Sequence, residues 1–242
     1  MKKTSLFPLG VAAALALFAS SSASAATILD TKFGSTTQPN ASNIVVTADT
    51  MLADFGSTVT LTRGSAFSEF VPQTIGSVPD TVIGSNSSIQ SGDTNTLATA
   101  IANDHFIEFT LTSSVAYDID TISFDMAGYG SNNNQFLGYL LTDATEFADG
   151  DQLSSVNAFY NDTITSSGTI DVSGNVAFDG RKSTNFRVYL VDNQATNQAN
   201  RQFGLTSITV TGTSQIPESS TYTLLVGVLA IGYATLRRRM YI

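Results

Sequence analysis

The chain has 242 residues, no cysteine, no tryptophan, a single histidine, and 11 Lys and Arg against 20 Asp and Glu. Without cysteine there is no disulfide, no thiolate nucleophile and no cysteine-type zinc site, and one histidine rules out a multi-histidine metal centre. A net charge of −9 sets the surface against nucleic acid and anionic lipid.

Residues 1–25 read as a secretory signal peptide. Lys2 and Lys3 supply the positive start, an apolar run extends from Leu6 through Val11 to Phe18, and small residues follow from Ser20. Ala23 and Ala25 stand three and one positions before a cut ahead of Ala26, the spacing that signal peptidase accepts. Residues 26–214 then form a body of about 190 residues, one domain of ordinary size with room for a substantial core. Five of the eleven basic residues but only one of the twenty acids lie at the ends, so the body holds six Lys and Arg against nineteen Asp and Glu, near −13. That excess suits solubility outside the cell and can attract divalent cations.

Gly, Ser, Thr and Asn dominate the body, and short alternating segments are separated by turn signals. The pattern predicts an all-β, antiparallel β-sandwich or barrel. Strands are expected at 28–33, closed by Gly34, and at 58–62. The weakly patterned 76–102 is expected to be a long loop, with one or two helical turns at 97–102. In 105–112, Phe106, Glu108 and Thr110 share one face while Ile107, Phe109 and Leu111 share the other. In 117–126, Ile122, Phe124 and Met126 oppose Thr121, Ser123 and Asp125. An Asn-rich loop at 131–135 leads to a strand at 136–141, followed by strands at 168–172, 185–191 and 203–212. In the penultimate strand Phe186, Val188 and Leu190 face away from Arg187 and Tyr189; in the last, Ile208 and Val210 oppose Ser207, Thr209 and Thr211.

The chain closes on Ile216-Pro217-Glu218-Ser219, an apolar run over 222–236, and Arg237-Arg238-Arg239. The run is apolar on every face, which separates it from an amphipathic core helix. It is somewhat shorter than the roughly 20 residues that cross a bilayer unaided. Tyr222 and Tyr233 at the interfaces, and arginines that snorkel, let it span, and the basic cluster favours a cytoplasmic end.

This order of short polar motif, apolar helix and basic stop resembles the PEP-CTERM sorting signal of Gram-negative bacteria over Ile216 to Arg239, with Ser219 where the motif usually carries a second proline. The resemblance implies an exosortase-type partner that cuts near Pro217, Glu218 and Ser219, and a setting of exopolysaccharide and biofilm. The segments 119–124, 185–190 and 205–212 look like the jelly-roll domains of secreted bacterial PEP-CTERM proteins. An immunoglobulin-like sandwich is the alternative, though it usually needs fewer residues. The expected organisation is a signal peptide at 1–25, a jelly-roll-like β-sandwich at 26–214, and a sorting tail at 215–242 with a transmembrane helix at 222–236.

No Gly-x-Ser-x-Gly elbow, phosphate loop or dinucleotide fingerprint is present. His105 is expected at a strand start near the surface, and adjacency in sequence does not let Asp104 orient it. Glu108 and Asp125 are the carboxylates best placed to meet on neighbouring strands for glycoside hydrolysis, which needs two acids roughly 5 to 9.5 Å apart. Asp143, Glu146, Asp149 and Asp151 form the densest acidic stretch and offer oxygens for a structural calcium, without EF-hand spacing. Arg187, Tyr189 and Tyr139 are the candidate carbohydrate contacts. Tyr129, Phe159, Tyr160, Asn132, Asn133 and Asn134 are further stacking or hydrogen-bonding groups.

The reading is an exported, noncatalytic protein, processed by signal peptidase and an exosortase-type enzyme. It is anchored transiently in the inner membrane through its C-terminal helix and delivered to the envelope or extracellular matrix, with a structural or weak carbohydrate-binding role. Alternatives are a polysaccharide-acting hydrolase or lyase on the same scaffold and a calcium-dependent adhesin.

Overall fold

Alternation of apolar and polar residues becomes strand almost wherever it occurs. The structure, a computed structural model, describes residues 25–33, 43–65, 70–75, 78–84, 96–129, 135–159, 163–191 and 202–215, with 227, 229 and 231. The chain divides into two compact units, Ala25–Thr213 and the two ends, 1–24 with 214–242. In the second unit Gly227, Leu229 and Ile231 are helical. Among the described residues no helix is long and apolar enough to cross a membrane. Ala23, the motif Pro217, Glu218 and Ser219, the arginines 237–239 and nearly all of 222–236 lie outside the described residues, whereas Ala26 opens the first strand.

The larger unit is built from strands β1 (Ala26–Lys32), β2 (Asn43–Thr47), β3 (Thr50–Met51), β4 (Thr58–Arg63), β5 (Phe70–Ile75), β6 (Val78–Gly84), β7 (Phe106–Tyr129), β8 (Gln135–Thr142), β9 (Ser154–Phe159), β10 (Ile164–Ser166), β11 (Ile170–Asp171), β12 (Arg181–Val191) and β13 (Gln202–Ser214), with one α-helix, α1 (Leu97–Ala102). β7, 24 residues long, is the hinge of the architecture. Its first part pairs with β4 on one side, Thr62 opposite Glu108, and with β12 on the other, Glu108 opposite Arg187. Its second part pairs with β13, β10 and β11. One layer therefore runs β2-β4-β7-β12-β8-β9, and the other β3-β1-β13-β7 with β10 and β11 alongside. The hairpin of β5 and β6 joins β13 at Phe203 to Leu205.

The two layers share one core, which makes this an antiparallel β-sandwich. Ile44, Leu61, Phe109, Leu111, Phe186, Val188 and Leu190 meet Ile28, Ile122, Phe124, Met126, Ile208 and Val210 from the opposite layer in one buried cluster. Phe186 stacks on Phe109 at 5.0 Å and on Phe178 at 6.3 Å between centroids. The layers approach so closely that Gly138 of β8 packs directly on the Met126 side chain of β7, where a β-carbon would collide.

Three differences from the predicted elements have physical causes. Segments 105–112 and 117–126, expected as separate strands, are continuous in β7. β12 bridges the join, pairing past a bulge from Ser183 opposite Thr112 to Arg181 opposite Tyr117. The expected loop at 76–102 contains β6, which pairs with β5 as a local hairpin; Pro79 and Asp80 break the alternation that would announce a strand. β2 and β9 also went without a prediction. β2 exposes Val45 between the buried Ile44 and Val46, which blurs its period, and in β9, among the described side chains, only Val156 and Ala158 are buried.

Candidate functional site

The outward row of β12 organises the outer face of the first layer. Because side chains alternate along a strand, Thr184, Phe186, Val188 and Leu190 are buried, while Arg181, Ser183, Asn185 and Arg187 keep partial or full exposure. The row crosses its neighbours in register: Thr110 opposes Asn185, Glu108 opposes Arg187, and Tyr139 opposes Tyr189.

Arg187 is fixed on every side. Its Nε donates to Glu108 Oε2 at 2.7 Å and its Nη1 to Tyr189 Oη at 3.2 Å. The guanidinium carbon lies 4.1 Å from the centroid of Phe106 and 4.1 Å from that of Phe147, so the cation is held between two π-faces. Burial works against its charge, but the bonds to Tyr189 and Glu108 outweigh it and raise its pKa. The planar fork suits this cage: a lysine's compact ammonium could not lie flat against both rings while holding Glu108 and Tyr189.

A second polar network continues along the row. Arg181 Nη2 donates to Asp143 Oδ1 at 2.9 Å, Asn185 Nδ2 donates to Asp143 Oδ2 at 3.3 Å, and Thr110 Oγ1 donates to Asn185 Oδ1 at 2.7 Å. Both ends of the Asn185 amide are thereby fixed. The side chains of the two ion pairs keep 20% to 26% of their exposure, so each pair contributes at most about 1 kcal/mol. What the pairs do is cancel charge locally.

One end of the face is roofed. Thr96 caps α1, its hydroxyl accepting from Thr99 N at 3.2 Å. Leu97 and Ala100 of the helix then pack on Phe106, Leu141, Tyr189 and Val191. Tyr189 is 1% exposed and meets Phe106 edge-on at 5.4 Å. The three residues singled out as carbohydrate contacts are thus brought together, but Tyr189 is a support beneath α1, while Tyr139 and Arg187 remain partly exposed.

The remaining candidates are dispersed. Glu108 and Asp125, expected on neighbouring strands, sit on the same strand and project from opposite outer faces of the sandwich with the core between them. Asp125 Oδ2 there accepts from Ser207 at 2.7 Å. That separation cannot provide the paired carboxylates of a glycosidase. His105, expected near the surface, is 3% exposed. Its Nδ1 donates to the Leu190 carbonyl at 2.5 Å, and burial lowers its pKa from 6.5 to about 4. The start of a strand is buried here because α1 folds back beside it: His105 N donates to the Ala100 carbonyl. Asp143 is engaged by Arg181 and Asn185, whereas Glu146, Asp149 and Asp151 are exposed. Among the described residues no three His, Cys, Asp or Glu side chains converge on a metal position. Tyr129 and Phe159 close β7 and β9, and Tyr160, Asn132, Asn133 and Asn134 lie outside the described residues.

Sequence reasoning missed Phe147, Arg181 and Asn185, and it took Asp143 for a calcium ligand where the structure makes it the partner of Arg181 and Asn185. Phe147 follows two residues after a 3-10 turn, at φ 53°, and no periodicity points to it. Arg181 and Asn185 were accessible, since they extend the period of Arg187 by two-residue steps.

The chain matches no protein-family profile and no curated protein. Among solved structures it is similar to the CBM36-1 domain of a multidomain xylanase from the hindgut metagenome of Trinervitermes trinervoides, with a TM-score of 0.32 and 10% identity over 63% of this chain and 95% of that one.

Proposed function

We propose that this is an exported, noncatalytic protein with a jelly-roll-type sandwich, which signal peptidase and an exosortase-type enzyme process. Through its PEP-CTERM-like tail it reaches the envelope or extracellular matrix, where it binds polysaccharide weakly. The observation that carries the binding role is the outward face of β12, where Arg187, Glu108, Asn185 and Asp143 are held rigid by their neighbours. Donors and acceptors fixed in advance lose little entropy when they meet the hydroxyls of a sugar. The noncatalytic role is supported by the placement of Glu108 and Asp125 on opposite outer faces.

Incubating the full chain with polysaccharides tests this reading: retention on the polymer is expected, with no new reducing ends. Release of product that Glu108→Gln abolishes would replace it with an enzyme. For sorting, a chain lacking 217–239 should fail to reach the cell surface of an exosortase-bearing host. Unchanged surface delivery of that deletion would sink the sorting role.

A further inference from the structure

We infer that the polysaccharide is a neutral one and that it lies on the open strip of β2, β4, β7 and β12, beside the roofed Tyr189 and not on it. This rests on the polysaccharide-binding reading above.

The strip is defined by register. Asn43 opposes Thr62, Thr62 opposes Glu108, and Glu108 opposes Arg187. In the adjoining rows Val45 opposes Thr60, Thr110 opposes Asn185, and Thr112 opposes Ser183. Thr60, Thr112 and Ser183 are exposed, and Thr62, Thr110 and Asn185 are half-buried. Strands about 4.8 Å apart, with like-facing residues about 6.7 Å apart along each, present these groups as a grid of hydroxyls and amides. A ligand lying on an open sheet face gains contact area by length, so a polymer suits it better than a small molecule, which needs a concave pocket to bury most of its surface.

Charge decides which polymer. Each arginine of the face carries its own acid: Arg187 pairs with Glu108 at 2.7 Å and Arg181 with Asp143 at 2.9 Å. Among the described residues the face therefore offers no uncompensated cation to a uronate or sulfate group, and the body around it carries six basic against nineteen acidic residues. An anionic chain would approach against that field. A neutral chain meets no such barrier, and the paired groups give it both donors and acceptors: the bonds to Glu108 and Tyr189 use two of the five N–H groups of Arg187. The roof explains why Tyr189 is not the platform, because α1 already packs on it.

Affinity electrophoresis of the full chain in gels containing hydroxyethylcellulose, dextran or galactomannan, and separately alginate or pectate, tests this. The expected result is retardation by a neutral polymer that added NaCl does not weaken. The doubly substituted chain Thr60→Val, Thr112→Val should bind about fivefold more weakly, as expected for lost hydroxyl contacts, while its thermal unfolding stays like that of the parent. Both positions are exposed, and valine suits a strand, so the substitutions leave folding intact. Retardation by alginate or pectate alone would overturn the neutral assignment and leave polysaccharide binding standing. Undiminished binding by the doubly substituted chain would remove the strip as the site. Migration unaffected by any of the five polymers would overturn both this inference and the reading on which it rests.

Discussion

The residue that best shows how local chemistry governs this molecule is His105. Its ring is buried and its Nδ1–H satisfies the Leu190 carbonyl, so the neutral form belongs to the fold and the charged form does not. The pKa falls from 6.5 to about 4. Since the unfolded chain binds the proton first, this group's contribution is intact above pH 6.5, erodes as pH falls, and is gone below about 4. The loss is on the order of 3 kcal/mol. Urea unfolding at neutral pH and near pH 4 should therefore show a steeper loss for the parent than for His105→Asn, which keeps an N–H donor without a titrating ring. Parallel pH profiles would show that the carboxylates, not His105, set the acid limit.

At the scale of elements, close approach matters more than propensity. Gly212 of β13 faces the Asp118 carbonyl of β7, and Gly138 of β8 faces the Met126 side chain. A methyl group at either position must displace its neighbour, but a thioether can swing aside and a backbone carbonyl in a ladder cannot. Gly212→Ala should thus cost more than Gly138→Ala: about 3 kcal/mol or above against about 1 to 2 kcal/mol. Equilibrium denaturation of the two variants gives the order, and a smaller loss at Gly212 would mean that β13 shifts to make room. The faces of these elements were legible in sequence, with Ile107, Phe109 and Leu111 inward, and Phe186, Val188 and Leu190 likewise. The continuity of β7 was not, because nothing in the local pattern at Ser113 to Ala116 tells a turn from a strand held across two layers by β12.

Over the whole molecule, charge sets two opposing tendencies. Salt weakens the Arg181–Asp143 and Arg187–Glu108 pairs, whose side chains are 20% to 26% exposed and which are each worth at most about 1 kcal/mol. Salt also screens the mutual repulsion of nineteen acids against six bases, and this larger imbalance should dominate. The melting temperature of the full chain is expected to rise between low and moderate NaCl. A fall would mean that the ion pairs of the outer face contribute more than their exposure implies.

The all-β class, the inward and outward sets of most strands and the acidic, cysteine-free character of the body were legible in the amino-acid order, because they follow from period and composition within a few residues. That order also brought Arg187, Tyr189 and Tyr139 forward as one group, since alternation puts the first two on one face. The folded arrangement was needed to place Tyr189 under α1, to enclose Arg187 between Phe106 and Phe147, to bury His105 and to part Glu108 and Asp125 to opposite faces. Each of those outcomes depends on which strands pair and what covers them, and a one-dimensional pattern carries no information about contacts between residues distant along the chain.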